Sequence, residues 1–590
     1  MDTHELCEIL PQSPTHSLSP GPTLLDVALR ACLARIVVIA IAALAFALLP
    51  SFPSIDADYQ YPSNVPESQL YIVTKNFTHY LRRELHPRLK QQWKPEVISQ
   101  YCTPLGFAST PNYVHILTPF TRWDGLINLE IAQFGYGEEK SFAFYPLWPL
   151  LMREAAIWLP HTGLCPRDQL VLVGFILANF FAILSSVLLF ALTLDILRDR
   201  GVEFAKRAAS IYSFSAAGIF FSSLYTEPLF TALFFAFCIL LRRLKAVISS
   251  LSAHRTWFAV YWILSLNVAV LMACTRSNAV VAAFYIVWEL VLPEPAQHAI
   301  TNVMLQFASP LAHHKAQDSR SGMSRTGPSS GQITCAAWTS LLVRTAVGVS
   351  LLFAALAPGF VYQHIGHQIL VGVPDKAANN GTFFPCASST DPELDLMGRM
   401  TQVVLVRPVL SLLSESSIRS VTKELAPLHT RELLLLPPNV GDMNSEDYAT
   451  ATRANKPFSN FYACLQYRYW GVELLGSYKR IANLPNVLLG LPAIFLSCRI
   501  IYSSLATSLG DYLLVLPYVV HLAFCVLVSI LFIHIQVATR FLQHCPLLQW
   551  GLARLLESRP TSKIPRLASL WLLSYNIIGT IMFSLFLPFT

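Results

Sequence analysis

The sequence predicts an all-α integral membrane protein with about ten membrane-spanning helices and two long loops on the lumenal side of the membrane. Of its 590 residues, 54% are hydrophobic and only 13% are charged, whereas soluble globular proteins carry about 25% charged residues. The apolar residues are concentrated in runs of about 20 residues, the length of helix that crosses the hydrocarbon core of a bilayer. Phe, Tyr and Trp make up 12% of the chain, as expected when aromatic side chains anchor helices at both membrane surfaces.

Ten apolar runs are the candidates for these spans. They lie at 28–50, 170–194, 209–226, 228–243, 257–275, 278–292, 340–360, 484–503, 512–533 and 568–588. The segment 141–160 contains three prolines and an Arg-Glu pair, so it predicts a helix on the membrane surface rather than a span. Residues 1–27 are predicted to form a cytosolic tail, and residues 28–590 a single polytopic membrane domain.

Basic residues set the expected orientation, because short loops rich in Lys and Arg stay on the cytosolic side. Arg30 and Arg35 lie at the start of the first span and place the N-terminal tail in the cytosol. If 141–160 does not cross, three polar and basic segments also face the cytosol: 195–208, 242–256 and 293–339.

The same count of crossings places two long loops, 51–169 and 361–483, in the lumen. Each contains one N-glycosylation sequon, at Asn76 and at Asn380. Glycosylated Asn residues occur on the lumenal side, so the joint placement of the two sequons supports this topology. The loop 536–567 also becomes lumenal although it is basic, and there it would face anionic lipid phosphates.

The cysteines indicate neither a metal nor a cofactor. All twelve are scattered, without a Cys-x-x-Cys pair or another spacing typical of metal ligands. Cys102, Cys386 and Cys464 lie in the lumenal loops and are candidates for a disulfide bond. The spacing alone does not assign the pairing.

Polar residues at the lumenal ends of the predicted spans are the candidates for a functional site. Ordinary anchoring at the membrane surface would explain any one of these groups. Ionisable residues at the edge of a helix bundle usually face a cavity, however, and the convergence of several groups on one side favours a shared site. The candidates are Arg122, Trp123, Asp124, Glu139, Glu227, Arg276, Asn278, His534, Gln536 and Arg540.

These residue types suit the transfer of a sugar from a lipid phosphate. The carboxylate of Asp124 would accept the proton of the acceptor hydroxyl. The guanidinium group of Arg276 or Arg540 would bind the phosphate that leaves. Trp123, beside Arg122, would offer an aromatic surface to the sugar. The sequence contains no glycine-rich loop of the kind that binds nucleotide phosphates, so a lipid-linked donor is favoured over a soluble nucleotide sugar.

Several of these residues belong to longer characteristic stretches. The stretches are Arg122-Trp123-Asp124, Gly135-Tyr136, Phe142-Ala143-Phe144-Tyr145-Pro146, Tyr225-Thr226-Glu227, Arg276-Ser277-Asn278, Tyr469-Trp470, Leu484-Pro485-Asn486 and His534-Ile535-Gln536-Val537-Ala538-Thr539-Arg540-Phe541. In this order they resemble the family of second mannosyltransferases of glycosylphosphatidylinositol (GPI) anchor synthesis. Arg122-Trp123-Asp124 alone is a weak signal, whereas the combination is specific.

The resemblance implies a multi-spanning C-type glycosyltransferase fold in the endoplasmic reticulum membrane, with a lumenal active site. It implies dolichyl-phosphate mannose as the donor, and transfer of an α-1,6-linked mannose to the first mannose of the GPI precursor. The donor linkage is β, so the resemblance implies inversion by a single displacement. Asp124 matches the acidic residue that such enzymes use near the acceptor. A small accessory membrane subunit, which accompanies yeast members, is an expected partner.

The sequence departs from the family pattern in two places. After Asp124, family members often carry Ala-Glu-His-Phe, whereas this chain has Gly125-Leu126-Ile127-Asn128. Any acid–base role of that Glu or His therefore shifts to Asp124. A polar insertion at 376–460 and the long N-terminal tail have no recognised counterpart.

Two other functions are consistent with this architecture. A dolichyl-phosphate-mannose transferase with a different acceptor would share only the acidic lumenal loop. A lipid transporter or scramblase predicts polar residues at the bilayer midplane and two related halves. In this sequence the charges gather at one face and no internal repeat is visible. Replacement of Asp124 by Asn separates the classes, because sugar transfer would be lost and lipid scrambling retained.

Overall fold

The computed structural model describes residues 20–49, 116–134, 136, 139–159, 166–249, 255–308, 335–371, 461–479, 481–506, 512–557, 563–587 and 589. The regular structure of these residues is helical. In chain order the α-helices are α1 (Pro20–Leu48), α2 (Asp124–Phe134), α3 (Leu147–Trp158), α4 (Pro166–Ile196), α5 (Gly201–Ser213), α6 (Glu227–Ile248), α7 (Arg255–Ala273), α8 (Ala282–Ile286), α9 (Glu294–Ala308), α10 (Cys335–Val371), α11 (Phe461–Trp470), α12 (Leu484–Ala506), α13 (Tyr512–Leu531), α14 (Ala538–Phe541), α15 (Pro546–Glu557) and α16 (Lys563–Ser584).

Seven helices in the described part of the chain are long and apolar enough to cross a membrane. They are α1, α4, α7, α10, α12, α13 and α16. Along α1, Leu25, Leu29, Leu33 and Ile36 are each more than half exposed, and an apolar stripe of this kind faces lipid in a membrane protein. The predicted all-α, multi-spanning membrane fold is confirmed. Not all of the ten predicted spans are single unbroken helices.

The predicted span 209–226 is broken near its middle. Helix α5 ends at Ser213, and a short 3-10 helix at Gly218–Phe221 precedes α6. The buried guanidinium group of Arg35 donates hydrogen bonds to the backbone carbonyl oxygens of Gly218, at 2.7 Å, and of Ser213. These bonds satisfy backbone groups that the break leaves without helical partners.

Two other segments are also shorter or less regular than a spanning helix. Segment 278–292 consists of a 3-10 helix at Ser277–Val281, then α8, then a π-helical turn at Val287–Val291. Segment 141–160 contains α3, which has 12 residues. A helix of this length measures about 18 Å, well short of the roughly 30 Å hydrocarbon core. As predicted, α3 is therefore not a span.

Ion pairs mark one end of the helix bundle, which we call the far end. Asp195, near the end of α4, contacts Arg242 of α6 at 2.5 Å, and Lys245 of α6 contacts Glu289 at 2.8 Å. Helix α6 begins at Glu227, so Glu227 lies at the opposite end of the bundle. We call that end the site end.

The segment after α13 runs from the site end to the far end. Arg540 contacts Glu227 at 3.3 Å, whereas Glu557 at the end of α15 contacts Arg207 of α5 at 3.0 Å. Helix α5 begins directly after α4 ends at the far end. The sequence predicted that all of 536–567 is lumenal, whereas the two halves of the described part of this segment contact opposite ends of the bundle.

Candidate functional site

A cavity of about 400 Å³ lies at the site end of the bundle. Its wall combines the start of α2, the N-terminus of α6, the turn after α7, helix α11 and the segment between α13 and α14. Six of the predicted site residues line it: Asp124, Glu227, Arg276, Asn278, His534 and Arg540. The predicted convergence of these groups on one side of the bundle is confirmed.

A left-handed turn at Trp123 separates Asp124 from the two residues before it. Trp123 has a φ of 52°, a backbone conformation that is rare for a bulky residue. Its indole ring stacks on Phe586, with centroids 4.8 Å apart, and the Arg122 guanidinium group lies 5.0 Å from the centre of the same ring. Arg122 and Trp123 therefore pack on the C-terminal segment outside the cavity wall, while Asp124 begins α2 within that wall.

The loop before α6 is held against α2 and α3 by hydrogen bonds to one residue, Leu224. The backbone N–H of Leu224 donates to the carbonyl oxygen of Phe120 at 3.0 Å. Its own carbonyl oxygen accepts hydrogen bonds from Asn128 Nδ2 at 3.1 Å and Trp148 Nε1 at 3.2 Å. This anchoring places Glu227 at the first position of α6, where the helix dipole favours a carboxylate.

Two carboxylates and two guanidinium groups form a continuous ionic network in the cavity. Arg540 contacts Asp124 at 2.7 Å and Glu227 at 3.3 Å, and Arg276 contacts Glu227 at 2.6 Å. Only 6% of the Glu227 side chain and 11% of the Arg540 side chain are exposed, compared with 20% for Arg276 and 27% for Asp124. The outer members of the network, Asp124 and Arg276, are thus the accessible ones.

Arg540 remains charged in this setting. Burial lowers the pKa of its guanidinium group, but the carboxylates of Asp124 and Glu227 raise it by more, so that the net pKa lies above its usual value. The group also lies 5.1 Å from the ring centre of Tyr225, a cation–π distance. Within the described residues, Arg540 Nε and Glu227 Oε2 have no hydrogen-bond partner, so the network is not saturated.

Asn278 and Thr226 orient the second guanidinium group. Arg276 Nε donates to Asn278 Oδ1 at 3.2 Å, and one terminal nitrogen of Arg276 donates to Thr226 Oγ1 at 3.1 Å. Helix α7 ends at Ala273, and the chain then turns so that Arg276 and Asn278 point into the same cavity. The Arg276-Ser277-Asn278 stretch therefore acts as one unit with the start of α6.

His534 joins the two segments that form the aromatic part of the wall. Its Nε2 donates a hydrogen bond to the backbone carbonyl oxygen of Trp470, at the end of α11. The Trp470 ring packs edge-on against Phe144, with centroids 5.8 Å apart, and both rings line the cavity. Gln536 lies in the short 3-10 helix Ile535–Val537 and does not line the cavity.

The remaining predictions fall partly or wholly outside the described part of the chain. Glu139 begins a 3-10 helix that ends at Ala143, but its side chain is outside the described part. Cys464 is disulfide-bonded, which confirms that this candidate forms a disulfide. The predicted glycosylation sites and the other two disulfide candidates lie outside the described residues: Asn76, Asn380, Cys102 and Cys386.

Asn128 and Tyr462 are two of the lining residues that were not predicted from the sequence. Asn128 follows Asp124 by four residues on α2, and this spacing places both side chains on one helix face, so the signal was available. The hydroxyl groups of Tyr462 of α11 and Ser277 form a hydrogen bond, with their oxygen atoms 3.1 Å apart. Tyr462 and Ser277 are far apart along the chain, and no sequence pattern connects them.

Comparisons with known proteins show which proteins this chain is similar to. The chain matches the family described as Mannosyltransferase (PIG-V) over residues 67–312 and 450–590, more than half of its length. GPI mannosyltransferase 2 of Drosophila pseudoobscura pseudoobscura is 33% identical over 132 residues, covering 22% of this chain and 28% of that protein. GPI alpha-1,6-mannosyltransferase 2 of Cricetulus griseus is 35% identical over 123 residues, covering 20% and 24%. The protein of the same name from Homo sapiens is 32% identical over 123 residues, with the same coverage.

The alignments with these relatives are partial, since the chain spans about a quarter of the length of the curated relatives it matches. The family match is broader. Its two ranges contain all four members of the ionic network: Asp124, Glu227, Arg276 and Arg540. The matched ranges cover more than half of the sequence and include the cavity that the helices assemble, so the chain belongs to the mannosyltransferase (PIG-V) family.

Proposed function

We propose that the protein transfers an α-1,6-linked mannose from dolichyl-phosphate mannose to the mannosylated glucosaminyl-phosphatidylinositol precursor of GPI anchors. Family membership and the printed names of the relatives support mannosyl transfer onto a GPI precursor. The residues of the cavity supply the chemistry that such a transfer needs. We further propose that the reaction takes place at the lumenal face of the endoplasmic reticulum membrane.

The position of Asp124 is the observation that carries this proposal. Its carboxylate is oriented by Arg540 at 2.7 Å, and it is the most exposed charged group of the network. A general base must reach the hydroxyl group that it deprotonates. Asp124 combines fixed orientation with access to the cavity, whereas Glu227 is enclosed by two guanidinium groups.

In the proposed reaction, Asp124 accepts the proton of the acceptor hydroxyl as its oxygen attacks the anomeric carbon of the donor mannose. The bond between that carbon and the phosphate oxygen breaks, and dolichyl phosphate leaves with the electron pair. Arg276, at the exposed edge of the network, stabilises the charge that develops on the leaving phosphate. A single displacement converts the β-linked donor into an α-linked product, and no cofactor takes part.

The disulfide bond at Cys464 supports the lumenal placement. Disulfides persist in oxidising compartments such as the lumen of the endoplasmic reticulum. Cys464 lies in α11, the helix that carries Tyr462 and Trp470 to the cavity wall. We therefore propose that the cavity faces the lumen, and that a small accessory membrane subunit assists the enzyme.

Membranes from cells that lack the second GPI mannosyltransferase provide the test. These membranes are supplied with labelled dolichyl-phosphate mannose, with or without this chain, and the GPI intermediates are separated by chromatography. We expect the one-mannose intermediate to be converted to larger species only when the chain is present. The Asp124→Asn variant should block the conversion, whereas Asp199→Asn, at an exposed carboxylate on the loop after α4, should not.

Each other outcome identifies a different error in the proposal. Persistence of the one-mannose intermediate with well-expressed protein, with and without the accessory subunit, would point to a different acceptor. Conversion that survives Asp124→Asn would show that another group is the base. Lipid scrambling by the purified protein that is unaffected by Asp124→Asn, without any sugar transfer, would favour the transporter class.

A further inference from the structure

A buried group of two histidines and two cysteines lies beside the cavity. His521 and Cys525 are four residues apart on α13 and so share one helix face. His544 and Cys545 follow Arg540 closely, in the turn between α14 and α15. All four side chains are buried, and their ligand atoms lie within 4.8 Å of one another.

The distances within this group match the edges of a tetrahedron around a zinc ion. Cys525 Sγ is 3.8 Å from His544 Nε2, and Cys545 Sγ is 3.7 Å from His521 Nε2. Tetrahedral Zn²⁺ with bonds of about 2.3 Å to sulfur and about 2.0–2.1 Å to nitrogen requires sulfur–nitrogen distances of about 3.6 Å. Small shifts of the four side chains would therefore complete the coordination.

Hydrogen bonds outside the group hold both imidazole rings in the orientation that a metal ion needs. The Tyr285 hydroxyl group is 2.9 Å from His521 Nδ1, which leaves Nε2 directed at Cys545. His544 makes a backbone hydrogen bond with Phe541, while its Nε2 faces Cys525. Metal-binding histidines commonly use their second nitrogen in this way, since the outer bond fixes the tautomer and the ring plane.

Aromatic rings close the site against water. The ring of Phe234 packs edge-on against His521 at 5.1 Å and against His544 at 5.9 Å, and Phe230 packs against His544 at 5.4 Å. Two thiolates and one divalent ion sum to zero charge, so the occupied site could be buried in the bundle without an uncompensated ion. Four protein ligands also leave no open position for substrate, which is the pattern of a structural site.

We propose that His521, Cys525, His544 and Cys545 bind one structural Zn²⁺ ion, with release of the two thiol protons. Tetrahedral sets of two sulfur and two nitrogen ligands favour zinc among the common metals. The ion fixes α13 to the turn after α14, and thereby holds the segment that carries Arg540. The sequence did not predict a metal, because the four ligands show no recognised metal-site spacing along the chain. The inference does not depend on the proposed sugar transfer.

Metal analysis of the full-length wild-type protein tests this site directly. The protein is purified in detergent without chelators, and its zinc is measured by mass spectrometry and by X-ray absorption at the zinc edge. We expect about one zinc ion per chain, with two sulfur neighbours at about 2.3 Å and two nitrogen neighbours at about 2.0–2.1 Å. Protein without zinc, or zinc without sulfur neighbours, would overturn the proposal.

Paired cysteine variants separate this site from zinc bound elsewhere. The Cys525→Ser/Cys545→Ser double variant should lose the zinc, whereas Cys32→Ser/Cys498→Ser, which removes two free cysteines outside the group, should retain it. Zinc that persists in the first variant would contradict the assignment. Alkylation of the denatured, unreduced wild-type protein is a further check, because a disulfide between Cys525 and Cys545 would also exclude the site. The wild-type measurements remain decisive if the double variant does not fold.

Discussion

Asp124 and Glu227 share the guanidinium group of Arg540, but their surroundings give them different roles. Glu227 is almost enclosed, and its Oε1 contacts both Arg276 and Arg540. Asp124 contacts one guanidinium group and remains open to the cavity. We therefore infer that Glu227 holds the two arginines in place, and that Asp124 performs the chemistry.

Replacement of each carboxylate by its amide should separate these roles. Glu227→Gln leaves the buried Arg540 and the more exposed Arg276 with one carboxylate between them, and loss of one partner from a buried ion pair costs about 3–5 kcal/mol. We expect a clear fall in the melting temperature of the detergent-solubilised protein. Asp124→Asn removes a more exposed charge, so it should abolish transfer while the melting temperature falls much less. An Asp124→Asn protein that melts as early as Glu227→Gln would make Asp124 a structural residue.

The two arginines should affect different kinetic constants. Arg276 is the more exposed guanidinium group, and Arg276→Lys replaces its planar fork with a point charge at the proposed phosphate site. We expect the donor KM to rise by about tenfold, the equivalent of one charge-assisted hydrogen bond. Arg540→Lys should mainly lower kcat, because Arg540 orients Asp124. Steady-state rates at varied donor concentration measure both constants, and an unchanged donor KM in Arg276→Lys would reassign that residue to structure.

The sequence predicted that these charged residues converge, but it did not predict which of their neighbours lie outside the cavity wall. Glu227, Arg276 and Arg540 lie at the ends of apolar runs, and the count of crossings was enough to bring them together. Arg122 and Trp123 precede Asp124 directly, so the sequence suggested a shared role. Their separation depends on the positive φ of Trp123 and on its stacking with Phe586, and neither feature has a local signal.

The close contact between α12 and the 3-10 helix Ile535–Val537 controls the position of His534. A Cβ atom on Gly490 of α12 would overlap the backbone carbonyl group of Ile535. Because His534 holds Trp470 in the wall, movement of this segment would disturb the aromatic side of the cavity. The absence of a side chain at Gly490 is thus needed for the site.

Gly490→Ala should therefore impair both packing and transfer. Overpacking of a tight contact costs about 1–3 kcal/mol, and we expect a lower melting temperature together with reduced turnover. Gly359→Ala is the matched control, since its Cβ atom would meet Tyr145 no closer than 3.5 Å, an ordinary van der Waals distance. If Gly490→Ala behaved like Gly359→Ala in both measurements, the contact would not position His534.

The interrupted segment 209–226 shows that hydropathy alone does not predict where a helix ends. Its composition is apolar throughout, so it resembles one span. The break depends on Arg35, which lies far away in sequence and supplies hydrogen bonds to the interrupted backbone. The apolar runs predict which segments lie in the bundle, whereas the continuity of each helix depends on such distant partners.

The arrangement of the bundle resolves a conflict in the predicted topology. In the predicted topology the basic loop 536–567 is lumenal, against the tendency of basic loops to remain in the cytosol. In the structure, α15 descends from the site end and Glu557 pairs with Arg207 at the far end. If the N-terminal tail is cytosolic, the far end is cytosolic, and the basic residues around Glu557 then obey the general rule.

Thiol labelling in sealed microsomes should show this directly, with single cysteines introduced into a Cys7→Ser/Cys335→Ser/Cys498→Ser parent and labelling compared with that of the parent alone. Glu557→Cys and Asp199→Cys lie at the far end and should react with an impermeant maleimide added outside. Ile481→Cys, at a side chain that is 91% exposed and precedes α12 at the site end, should react only after the membrane is permeabilised. If Glu557→Cys, like Ile481→Cys, reacted only after the membrane is permeabilised, the lumenal placement of 536–567 would be supported instead. That result would also imply that the pairing of Arg207 with Glu557 does not form in the membrane, because one ion pair cannot join two sides of a bilayer.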